Sequence, residues 1–76
     1  MFDELVDLAN KDYDGHFTIL KFTTNYRVCL GTLHEINPLI TLYMAKGKTL
    51  DEAIKNAIDN KIDCYKVDEL FKENCL

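Results

Sequence analysis

Seventy-six residues, 47% of them hydrophobic and 29% charged, make one folded domain and exclude a disordered chain. Such a chain buries only ~60% of its unfolded surface, so a pocket of ~300 Å³ or more would take wall area from a thin core, which argues against an enzyme with a deep cleft. A net charge of −4 argues against a dominant phosphate-binding role, and no run of roughly 18 apolar residues is present to cross a membrane.

The first element in chain order is a short helix over residues 2–11. Phe2, Leu5, Val6 and Ala9 recur at helical spacing, and Asp3 and Glu4 sit in the first turn, where the helix dipole favours acids. Asp14-Gly15 ends it with turn chemistry. The acidic start Met1-Phe2-Asp3-Glu4 is unlike the basic start of a signal peptide. Three cysteines without C-x-x-C spacing suit a reducing compartment, so a cytoplasmic location is expected.

Residues 16–33 read as a β-hairpin. His16 to Thr23 and Tyr26 to Leu30 are rich in β-branched and aromatic side chains. Two turns fit between them. A two-residue turn at Thr24-Asn25 pairs Lys21 with Val28 and leaves both faces mixed. A three-residue turn, Thr23-Thr24-Asn25, places Asn25 in the left-handed region and segregates the faces better. That register is the preferred one. It puts Thr18, Leu20, Phe22, Tyr26, Val28 and Leu30 on one face, and Phe17, Ile19, Lys21, Arg27, Cys29 and Gly31 on the other.

Pro38 opens a third strand, Leu39 to Met44, and Lys46-Gly47-Lys48 is the turn that follows. The clearest element is a helix over 49–60. Thr49 caps it, Glu52 stands three residues later as in a capping box, and Leu50, Ala53, Ile54, Ala57 and Ile58 form one apolar stripe. A last helix over about 66–74 buries Val67, Leu70 and Phe71, with Asp68 and Glu69 serving its N-terminus. The expected fold class is α+β: a three-stranded antiparallel sheet packed against the amphipathic 49–60 helix, with short N- and C-terminal helices. A sheet apolar on both faces needs a second cover, from the terminal helices or from another subunit.

Two stretches resemble known proteins. His16 to Val28, followed by Leu30-Gly31-Thr32, resembles small bacterial and phage open-reading-frame proteins to which no activity is attached. Gly47-Lys48-Thr49-Leu50-Asp51-Glu52-Ala53, with Asn56-Ala57 after it, resembles the strand-to-helix junction of HicB-type antitoxins. That resemblance implies a β-β-β-α core, a toxin-neutralising role and dimerisation.

Charge and chemistry then bound the sites. Residues 1–14 carry −4, residues 15–48 carry +3 and residues 49–76 carry −3. The basic share gathers at the hairpin tip, where Lys21, Tyr26 and Arg27 are the candidate binding residues, with Phe22 beside them. Cations next to aromatics can contact single-stranded nucleic acid, but a plain sheet surface with an amphipathic tyrosine and snorkelling cations is the preferred reading. The acidic terminal helices suit either solubility or imitation of a nucleic acid in blocking a basic channel.

His16, His34, Cys29, Cys64 and Cys75 have no metal-ligand spacing, and Cys29 in a strand reads as a small core residue. Asp12, Asp14 and Gly15 lack the terminal acid of a calcium loop and read as a turn. No metal, no cofactor and no catalytic constellation is expected. The expectation is a non-enzymatic module that binds a protein partner or its own copy, with a nucleic-acid-associated or antitoxin-like regulator as the alternative, and no membrane.

Overall fold

The computed structural model describes residues 1–74. Helix α1 spans Phe2–Asp12, strands β1 and β2 span Phe17–Lys21 and Tyr26–Leu30, and a 3-10 helix spans Ile40–Tyr43. Strand β3 (Ala45–Gly47) and helices α2 (Leu50–Asp59) and α3 (Cys64–Asn74) follow. The strands form one antiparallel sheet in the order β1-β2-β3, and α2 packs on it, so the fold is α+β with a helix at each end. None of the described helices is long and apolar enough to cross a membrane.

The hairpin register differs from both expected turns. Phe17 pairs with Leu30, Ile19 with Val28 and Lys21 with Tyr26. The loop runs from Phe22 to Asn25 and is closed by the Phe22 amide donating to the Asn25 carbonyl at 2.8 Å. Asn25 is not in the left-handed region. This one-residue shift moves Phe17, Ile19 and Lys21 to the face of Tyr26, Val28 and Leu30, and leaves Leu20 with Arg27 and Cys29.

Both faces are covered, which is why alternation misled. On one side Val28, Leu30 and Ala45 pack with Leu5 and Ala9 of α1 and with Ala53, Ile54 and Ala57 of α2. On the other, Cys29 packs with Leu33, Ile40, Met44, Cys64 and Val67, so the 3-10 helix and α3 close that face. A sheet buried on both sides carries apolar residues at successive positions and loses the period-2 signal.

The third strand is shorter and later than expected, and residues 40–43 are helical instead. Asn37 is the reason. Its Oδ1 accepts the amides of Leu39 and Ile40 at 3.0 and 2.9 Å, and the Thr41 amide donates to its carbonyl at 3.2 Å. Asn-Pro thus starts a helical turn, with proline where no amide is needed. Lys46 and Gly47, expected in a turn, belong to β3. Gly47 lets α2 come close, because a Cβ there would lie 2.2 Å from the Ala53 amide nitrogen.

Helix α2 follows the expected stripe. Thr49 Oγ1 accepts the Glu52 amide at 3.1 Å, and Ala53, Ile54 and Ala57 are fully buried between half-buried Leu50 and Ile58. Helix α3 begins two residues before the expected start, at Cys64. Asp63, not Asp68 or Glu69, serves its N-terminus: Oδ1 accepts the Lys66 amide at 2.8 Å. Val67 is fully buried, and Leu70 and Phe71 are half-buried.

Candidate functional site

The register places the three hairpin-tip residues in two different settings. Lys21 and Tyr26 are directly opposite one another, and the Lys21 ammonium lies 5.2 Å from the Tyr26 ring centroid. Lys21 Nζ also donates to the Phe22 carbonyl. Tyr26 is half-buried and packs against the α2 side of the core.

Arg27 projects to the other face. Its Nε donates to Asn25 Oδ1 at 3.0 Å, and one terminal nitrogen reaches the carbonyls of Thr41 and Leu42 at 3.2 and 3.4 Å. The guanidinium therefore ties the hairpin to the end of the 3-10 helix. It is half-buried, and among the described residues no carboxylate lies within salt-bridge distance of it.

Beside Arg27 lies an open groove of about 500 Å³. It was not expected from so thin a core. Its floor and walls are Leu20, Phe22, Ile36, Pro38 and Leu42, with the Arg27 guanidinium and no acid; Lys21 borders it, its ammonium turned to Tyr26. Phe22, Ile36 and Leu42 are 40%, 56% and 58% exposed, so apolar surface concentrates here. The polar members are already engaged. Asn37 Nδ2 donates to Glu35 Oε1 at 2.6 Å, Thr41 Oγ1 donates to the Pro38 carbonyl at 2.9 Å, and Asn25 Nδ2 donates to Thr24 Oγ1 at 3.2 Å. The groove thus presents apolar side chains and a fixed cation.

Sequence reasoning named Lys21, Tyr26 and Arg27 but missed Ile36, Pro38 and Leu42. The available signal was the number of apolar residues in 36–42: Ile36, Leu39, Ile40 and Leu42 are more than one face can bury, and only Ile40 of them is in the core.

The remaining chemistry-bearing residues are scattered. The Cys29 thiol is pushed up to about 12, chiefly by burial, and Cys64 is raised by burial and then by the charge of Asp63. His16 Nδ1 lies 2.8 Å from Thr32 Oγ1. Asp14 and Gly15 have positive φ of 54° and 82° and form the turn after α1. Cys75 lies outside the described residues. The acidic terminal helices α1 and α3 pack on opposite faces of the sheet, and α2 between them in the chain carries Asp51, Glu52 and Asp59 as well. Among the described residues no three of His, Cys, Asp and Glu gather as a metal site would require. Compared with protein families, curated proteins and solved structures, the chain matches none of them.

Proposed function

We propose that this chain is a small non-enzymatic interaction module that binds a protein partner through the groove at the hairpin tip. One observation carries the reading: Phe22, Ile36 and Leu42 stay exposed around a half-buried Arg27 that has no carboxylate partner among the described residues. Apolar surface left in water costs about 25 cal/mol per Å², and a half-buried cation is better satisfied when an anion joins it. Docking of a partner relieves both. The groove lining contains no acid, histidine or cysteine to move a proton or attack a carbonyl, which favours binding over catalysis. The two buried thiols, free among the described residues, support a reducing compartment such as the cytoplasm.

Photo-crosslinking tests the surface. With p-benzoylphenylalanine at position 42, one discrete protein adduct is expected in the cells that make the chain. The same probe at position 55, on the exposed side of α2, should give none. The position-42 adduct should disappear when Phe22→Ser is added. Equal labelling from both positions, or none from position 42, would remove the groove from consideration.

A further inference from the structure

We infer that the groove takes an extended partner segment in which an apolar side chain is followed closely by a carboxylate. This deepens the proposed function and rests on it. Charge complementarity selects the occupant. The chain as a whole carries −4, yet the charged group facing this groove is the Arg27 guanidinium; Lys21 borders the groove while its ammonium turns to Tyr26 on the other face. Across the strand from Arg27 stands Lys46, exposed and on the same face. Glu35 stands outside the lining, and its carboxylate accepts from Asn37.

Arg27 is prepared for the task. Three hydrogen-bond acceptors, Asn25 Oδ1 and the carbonyls of Thr41 and Leu42, already fix its plane. Its second terminal nitrogen makes no hydrogen bond among the described residues. The entropy of ordering a long side chain is therefore spent in folding, and a carboxylate meets a donor already in place.

The rest of the lining says what accompanies the carboxylate. Sugars and nucleotides need several convergent polar groups, and here Asn25, Asn37 and Thr41 are occupied by internal hydrogen bonds. What remains is Leu20, Phe22, Ile36 and Leu42, a surface for one or two aliphatic or aromatic side chains. The groove opens to solvent and is not an enclosed cavity, which suits a chain segment laid across it.

Selection of random twelve-residue peptides displayed on phage, against the full chain, tests this. The expected peptides carry Leu, Ile, Phe or Met within three residues of Asp, Glu or a free C-terminal carboxylate. Bound peptide should shift the amide resonances of residues 20–27 and 36–42. Arg27→Gln should weaken binding by roughly 30-fold, and Arg27→Lys by less. Leu42→Asp alters an exposed position, so it should abolish binding while leaving the circular dichroism unchanged.

Peptides that occupy the groove without an acid, or that ignore Arg27→Gln, would overturn the carboxylate assignment and leave the interaction surface standing. Selection that yields no groove binder, or basic peptides bound elsewhere, would overturn both. A Leu42-dependent dimer in light scattering would replace the partner segment by a second copy. A Leu42-dependent complex with a single-stranded oligonucleotide would replace it by a nucleic acid.

Discussion

Tyr13 and Asp63, 50 residues apart in the chain, meet side chain to side chain, with the phenol donating to Asp63 Oδ2 at 2.7 Å. The other oxygen of the same carboxylate accepts the Lys66 amide at the start of α3. One acid therefore joins the end of α1 to the beginning of α3, beside the end of the central strand β2. Asp63 also lies beside Leu30 of β2 as a parallel bridge, with the Leu30 amide donating to the Ile62 carbonyl at 3.0 Å.

Tyr13→Phe should lower stability by about 1–2 kcal/mol, the worth of a partly exposed hydrogen bond to a charged acceptor. The pH dependence follows from the phenol. The hydrogen bond to Asp63, more than burial, pushes its pKa from 10.0 up to about 12 in the folded chain. Folding favours the protonated phenol, so its contribution is whole below pH 10.0 and is lost as pH rises toward about 12. Urea midpoints of the two proteins should differ at neutral pH and converge across that interval. A difference that persists undiminished above pH 12 would show that the contact is not what separates them.

Gly47→Ala should be among the most damaging small substitutions in the chain, at about 3 kcal/mol. The added Cβ would lie 2.2 Å from the Ala53 nitrogen and 2.8 Å from its Cα. These are backbone atoms of α2, which no rotamer change can move. The helix must lift from β3, and Asn56 Nδ2, which donates to the Lys46 carbonyl at 2.7 Å, would be pulled from its acceptor. Thermal unfolding followed by circular dichroism reads the loss. A melting temperature equal to that of the parent would mean that the close approach of α2 to β3 is not there.

How much of this was legible depended on whether the signal was local. The stripe from Leu50 to Ile58 and the Thr49 cap identify α2 almost to the residue, because helix period and capping act within one element. The presence of the 16–30 hairpin was also legible. Its register was not, since Phe17, Ile19, Leu20, Val28 and Cys29 all find apolar partners on one face or the other. Pro38 reads as the opening of a strand, Leu39 to Met44, with Ile40, Leu42 and Met44 on one side; the Asn37 side chain settles the matter by capping a helical turn instead. The candidate groove combines residues 20–27 with 36–42, and only the folded chain brings Leu42 to Arg27.

The thiols offer a chemical check of the second core. Cys29 is fully buried and its thiol is pushed up to about 12 by burial, while Cys64 is buried beside Gly31. In a Cys75→Ser background neither should react measurably with Ellman reagent at pH 8 while the chain is folded, because the thiolate is the reactive form. Both should react at once in denaturant. Gly31→Ala should expose them: its φ of 84° disfavours any side chain, and the new Cβ would stand 2.6 Å from Cys64 Sγ. Rapid labelling of the folded parent would place at least one of these cysteines at the surface.

Asn37 links the fold to the groove, and its replacement should affect both. Its Oδ1 satisfies the amides of Leu39 and Ile40, and its carbonyl accepts the Thr41 amide. Asn37→Ala removes the side-chain cap and should cost about 1 kcal/mol. Asn37→Ser, which can still cap, should recover most of that loss. The consequence reaches further than stability. The carbonyls of Thr41 and Leu42 hold Arg27, so loosening this turn also loosens the guanidinium and the exposed Leu42 beside it. Hydrogen exchange should therefore quicken at Leu39, Ile40 and Met44 in Asn37→Ala, and the Arg27 Nε–H resonance should broaden, while the β1–β2 amides keep their protection. If the Arg27 resonance stays sharp while the 39–44 amides exchange freely, the guanidinium is held by Asn25 alone, and the groove does not depend on the 3-10 helix for its shape.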